Sequence, residues 1–99
     1  MIHNGMRPIH PGEILRQEYL EPLGMSVNAL SKALHVPATR MNEVVRESRG
    51  VSAGTALRLA RYFGTSARFW LNLQTEFELR QVQIGKEAKI AREIQPHAA

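Results

Sequence analysis

The chain has no cysteine, which removes disulfide frameworks, thiolate metal sites and thiol nucleophiles from consideration. No apolar run approaches the ~18 residues that a membrane span needs. The stretch Met1 to Pro11 lacks the apolar core of a secretion signal, so a soluble, cytoplasmic protein is expected. No window alternates apolar and polar residues over a useful length, and no strand is expected. Internal repeats and low-complexity segments are absent as well. His3, His10, His35 and His97 are scattered, without the spacing or acidic company of a metal site, and read as turn and surface residues. Glu13 and Glu18 stand five apart, so on a helix they point in different directions. The glycines form no phosphate loop. The residues therefore give no sign of an enzyme, a cofactor site or a metal site.

What is present is a globular composition. The chain has 99 residues, 43% of them hydrophobic and 22% charged, enough for one domain with a modest core. The net charge of +4 is unevenly placed. Residues 32–68 carry Lys32, Arg40, Arg46, Arg49, Arg58, Arg61 and Arg68 against Glu43 and Glu47 alone, a local excess of +5. The segments before and after it are close to neutral. A local basic excess attracts polyanions, of which nucleic acid is the commonest in a cell.

The punctuation is that of short helices. Residues 1–10 read as an irregular arm. Pro11 suits a first helical position, Glu13 suits the positive end of the helix dipole, and Ile14, Leu15 and Tyr19 share a face. Gly12 weakens this start, and Pro22 is expected to end the helix. Ser26 caps a second helix with the stripe Val27, Leu30 and Leu34. Pro37 opens a third, held down by Met41, Val44 and Val45, in a segment that Arg49 and Gly50 end. Ser52 caps a fourth, with Ala56, Leu57, Ala60 and Phe63 inward and Gly64 at its left-handed end. Thr65 or Ser66 caps a fifth, striped by Phe69, Trp70, Leu73 and Phe77. Gly85 is expected to divide that helix from a charged tail. The expected plan is all-α: an arm at 1–10, a domain at 11–83 and a tail or extra helix at 84–99.

The informative stretch is 26–46. Two helices of roughly nine residues joined by a short turn match a helix-turn-helix, whose second helix enters the major groove of DNA. Ser31 supplies the small side chain needed where the helices cross, and Val36 plugs the turn. With Met41, Val44 and Val45 inward, the third helix shows Ala38, Thr39, Arg40, Asn42, Glu43 and Arg46 outward. Ala38 and Thr39 would meet base edges or a thymine methyl, Asn42 can pair with adenine, and Glu43 can accept from the cytosine amino group. Arg40, Arg46 and Arg49 suit phosphate, and the backbone N–H groups near Ser26 make a second phosphate anchor. Arg58 and Arg61 read as solvated surface. Leu71 and Leu79 lie off the main stripe of the fifth helix. That surplus suggests a two-fold pair through Trp70, Leu73 and Phe77.

Residues 26–46 resemble the helix-turn-helix of lambda-repressor-like (XRE) regulators. The wider pattern resembles the HigA-type antitoxins in "MRPIHPGEILRQEYLEPLGMS", "VPATRMNEVVRESRGVSA" and "TALRLARYFGTSARFWLNLQTEFEL". The likeness spans roughly residues 6–80, with "HPGEIL" and "FWLNLQ" its most specific phrases. It implies a five-helix DNA-binding domain that dimerises on an inverted-repeat operator. It also implies a HigB-type, ribosome-dependent mRNA-cleaving toxin as partner and repression of the protein's own operon. Three positions depart from the XRE pattern: Val27 stands for a phosphate-binding glutamine, His35 for a turn glycine, and Ser31 for alanine. Two rivals stay open: a stand-alone or phage-type repressor without a toxin, and a helical protein–protein adaptor that binds no DNA.

Overall fold

The structure is a computed structural model that describes residues 7–98. Of the arm expected at 1–10, and of the four histidines, residues 1–6 with His3 lie outside the described residues. The described residues form five helices and no strand.

The first helix, α1, is continuous through Pro11–Ile14, a π segment Leu15–Leu20, and Glu21–Leu23. Its start explains the phrase "HPGEIL". His10 is buried, not a surface residue, and its Nδ1 accepts the Gly12 N–H at 2.8 Å as the helix cap. Pro11 has no N–H to satisfy at this position. Gly12 is required by packing: a Cβ there would collide with the Val44 carbonyl oxygen of a neighbouring helix. Glu13 is buried and takes both ends of the Arg7 guanidinium, at 2.8 and 2.7 Å.

The expected stop before Pro22 does not occur. The Glu21 N–H bonds the Arg16 carbonyl, five residues back. This wider turn spreads the carbonyls, so a proline that brings no N–H enters the last turn without the clash an α register imposes. Gly24, at φ 61°, ends the helix instead.

Helices α2 (Val27–Leu34) and α3 (Ala38–Val45) follow. Helix α3 ends sooner than Arg49 and Gly50 suggested. Glu47, at φ 67°, closes it, with the Ser48 N–H returning to the Glu43 carbonyl at 2.9 Å. Helix α4 (Ala53–Phe63) is capped by Ser52 and ends at Gly64, φ 73°. Its buried side is Thr55, Ala56 and Leu59, with Phe63 packed on the core. Leu57, expected inward, is 64% exposed, because it lies about 100° round the helix from Ala56. Leu59 holds the inward place.

Helix α5 (Ala67–Glu93) begins at the Ser66 cap and runs unbroken through Gly85. The break expected at Gly85 is therefore absent; a Cβ there would meet open space, and a lone helical glycine costs only ~1 kcal/mol. Trp70 is completely buried, with its Nε1–H on Thr65 Oγ1 at 2.8 Å. Tyr19 of α1 lies against it, with ring centres 5.3 Å apart. The core runs through Leu15, Leu30, Met41, Val44, Leu59 and Trp70, so every helix contributes. Beyond Phe77 α5 leaves this body and makes the molecule 53 Å long against 25 Å across. No helix among the described residues is long and apolar enough to cross a membrane.

Candidate nucleic-acid interface

The geometry begins at the α2–α3 crossing. Ser31 is buried there, and its hydroxyl donates to the Asn28 carbonyl at 2.9 Å, so it fills the crossing without an unsatisfied polar atom. Leu30, Leu34 and Val36 point into the core, and so do Met41, Val44 and Val45. His35 adopts φ 57° at the turn, the conformation that glycine takes most easily. The Val36 N–H reaches the Ser31 carbonyl at 3.0 Å and closes the α2 end.

The outer side of α3 then follows. Ala38, Thr39, Arg40 and Arg46 are exposed, while Asn42 and Glu43 are half-buried. Asn42 Nδ2 donates to the Ala38 carbonyl at 2.9 Å. That bond uses one amide hydrogen and leaves the second hydrogen and the oxygen, which is the pair needed for an adenine edge. Glu43 is engaged as well: its Oε1 accepts from Arg49 Nε at 2.7 Å. The contact neutralises a carboxylate on a face that would meet phosphates, and it fixes Arg49 beside α3. The first turn of α3 has no side-chain cap, so its N–H groups stay open to anions. At α2, Ser26 Oγ caps the Ala29 N–H at 3.1 Å. The hydroxyl is thus committed to the helix, and only the N–H groups of its first turn remain to meet an anion.

Of this surface Asn28 went unremarked in the sequence, Lys32 was read only as charge and His35 only as a turn residue. Asn28, Lys32 and His35 line the groove between α2 and α3 together with Ser31, Pro37 and Ala38. Their i, i+4, i+7 spacing on α2 was the available signal. Arg58 is exposed, as expected, and its guanidinium also donates to the Leu34 carbonyl at 2.7 Å. Gln74 of "FWLNLQ" accepts the Val51 N–H at 2.8 Å and so pins the loop that follows α3; a Cβ on the neighbouring Gly50 would press on the Gln74 amide and displace it.

The platform beneath α3 carries the perturbed ionisations. Hydrogen bonding and charge from Arg7 hold the Glu13 carboxyl below its usual range, against its own burial. Burial pushes the His10 imidazole down, partly offset by the Glu47 charge and the Arg49 backbone.

The side of α5 expected to pair two chains is largely turned inward. Trp70 belongs to the core of its own chain, which corrects its assignment to an interface; Leu73 packs on the same core. Phe77 is half-buried, with His10 edge-on at 4.7 Å between ring centres. On the opposite side Leu79, Val82 and Ile90 are exposed at helical spacing.

No protein-family model matches the chain. It is 58% identical over 85 residues to virulence-associated protein I of Dichelobacter nodosus, covering 86% of this chain and 79% of that one. It is 36% identical over 74 residues to antitoxin HigA-1 of Vibrio cholerae, covering 74% and 69%. Among solved structures, the Pseudomonas aeruginosa antitoxin HigA with the higBA promoter superimposes with a TM-score of 0.89 at 51% identity, covering 93% of this chain and all of that one.

Proposed function

The chain belongs to the HigA-type antitoxins of the helix-turn-helix regulators, and from that membership we propose how it works. It is a sequence-specific DNA-binding antitoxin that neutralises a HigB-type mRNA-cleaving toxin and represses its own operon. It acts in the cytoplasm by binding, without catalysing a reaction. One observation carries the DNA-binding half: α3 is anchored by Met41, Val44 and Val45 while Ala38, Thr39 and Arg40 stay open and Asn42 is held with its pairing atoms free.

In this reading Ala38, Thr39 and Asn42 read base edges, and Arg40 and Arg46 grip phosphate. Glu43 serves through Arg49, which it holds, rather than through cytosine. The α2 start at Ser26 sets the register on the backbone. Two chains pair through the outer side of α5, by Leu79, Val82 and Ile90. The paired α3 helices then meet half-sites about 34 Å apart on an inverted repeat.

The test is binding to a duplex of the protein's own promoter at two salt concentrations, beside a scrambled duplex. Preference for the promoter, weakening steeply with salt, is the expected result. Equal affinity for both duplexes overturns the DNA reading. Co-purification with the toxin of the same operon tests the other half, and its failure leaves a repressor without a toxin.

A further inference from the structure

Four helices in the described residues end on a residue in the left-handed conformation: Gly24, His35, Glu47 and Gly64. Two of these are glycines, which adopt it without strain, and two carry side chains that resist it. The two strained ends are the carboxyl ends of α2 and α3, the helices that form the DNA-binding unit.

Each strained end is held by an arginine from outside that unit. Arg58 of α4 places Nη1 2.7 Å from the Leu34 carbonyl, at the residue before His35. Arg16 of α1 places Nη1 2.6 Å from the Val45 carbonyl and Nη2 3.3 Å from the Glu47 carboxylate. A cation at a helix carboxyl end meets the negative end of the dipole and the carbonyls left without intrahelical partners. A guanidinium does so with several donors in a fixed plane, so it sets direction as well as charge.

We infer that Arg16 and Arg58 are positioning residues for operator recognition: they lock the carboxyl ends of α3 and α2 and so fix the angle at which Asn42 and its neighbours meet the bases. Neither touches the DNA in this scheme. The inference rests on the operator-binding reading above. It separates Arg16 and Arg58 from Arg40 and Arg46, whose contribution is charge against phosphate.

The two roles leave different signatures. Losing a phosphate contact weakens binding to every sequence and lowers the salt slope by about one. Losing a positioning contact weakens the promoter complex, leaves binding to scrambled DNA in place and keeps the slope.

The experiment measures affinity of the full-length protein for the promoter and scrambled duplexes across a salt series, at a temperature where circular dichroism shows each variant folded. Arg58→Met and Arg16→Met are expected to lose about tenfold in promoter preference, the scale of one misplaced base contact, with unchanged slope. Arg58→Lys and Arg16→Lys keep one donor and are expected to recover part of it. If the methionine variants do not fold, Glu47→Gln carries the test, because it removes the Arg16 ion pair and leaves the Val45 bond; a reduced preference is expected. Promoter preference equal to wild type in the folded variants overturns the inference, and so does a fall in salt slope. A wild-type protein with no promoter preference overturns the operator-binding reading and this inference with it.

Discussion

Asn42 donates to the Ala38 carbonyl and His10 accepts from the Gly12 N–H, and each makes a sharp prediction. Asn42→Ala is expected to cost about 1–3 kcal/mol on the operator and to relax preference at one base position, read by competition with base-substituted duplexes. Folding should change little, because the bond to Ala38 is local. His10 predicts a pH effect. Its folded pKa lies below the ordinary 6.5, so between the two values the unfolded chain binds a proton that the folded chain refuses. Stability is therefore full above about pH 6.5 and falls as pH drops through the folded value. Protonation would also remove the acceptor that caps α1. His10→Asn keeps a capping oxygen, and denaturant melts across pH 5–7 should lose that slope. Glu13 adds a second decline below its ordinary 4.5, where its partnership with Arg7 is lost. His10 was the residue that sequence reasoning placed worst. A histidine before proline looks like a turn, and packing from distant parts of the chain, Phe77 of α5 and the loop at Arg49, makes it interior.

At the scale of elements, local chemistry was legible and contacts between elements were not. Ser26, Ser52 and Ser66 cap their helices as their positions suggest, because a cap needs only the next three residues. The inward stripes of α2 and α3 follow from periodicity for the same reason. Proline and glycine misled wherever tertiary packing outweighed propensity. Pro22 sits inside α1 because the helix widens, and Gly85 sits inside α5 because a long helix absorbs one poor residue. Gly12, read as a weakness of α1, is a point of close approach to α3. Gly12→Ala should therefore destabilise by about 3 kcal/mol or more, since the obstacle is a backbone carbonyl rather than a movable side chain. Thermal melting checks this. A variant as stable as wild type would mean that α1 can move off α3. The outer side of α3 could be assigned in advance, but the pairing of Glu43 with Arg49 depends on the loop that α5 pins through Gln74, and no spacing rule anticipates that.

For the whole molecule, the question is where a second copy sits. Trp70 is a core residue, so Trp70→Ala should cost about 3–5 kcal/mol of stability in a denaturant melt, with any loss of pairing a consequence of unfolding. The proposed pairing surface is tested on the other side of α5. Leu79→Lys combined with Ile90→Lys should give a folded monomer by light scattering, with promoter affinity reduced steeply because two half-sites no longer share one binder. A dimer that persists would place the two-fold axis elsewhere. Surplus apolar residues on the fifth helix suggested a two-fold pair in the sequence. Which side they lay on needed the body of the fold, because Trp70 and Leu79 are both apolar and only burial tells them apart.

Helix α3 keeps its supports and its proposed readers on opposite flanks, with Met41, Val44 and Val45 below and Ala38, Thr39 and Asn42 above. Vocabulary and grammar are thereby separable. Transplanting those three upper side chains from a relative should redirect the protein to that relative's target while its melting temperature hardly moves, so lineages on this scaffold are free to diverge in address without renegotiating how they fold.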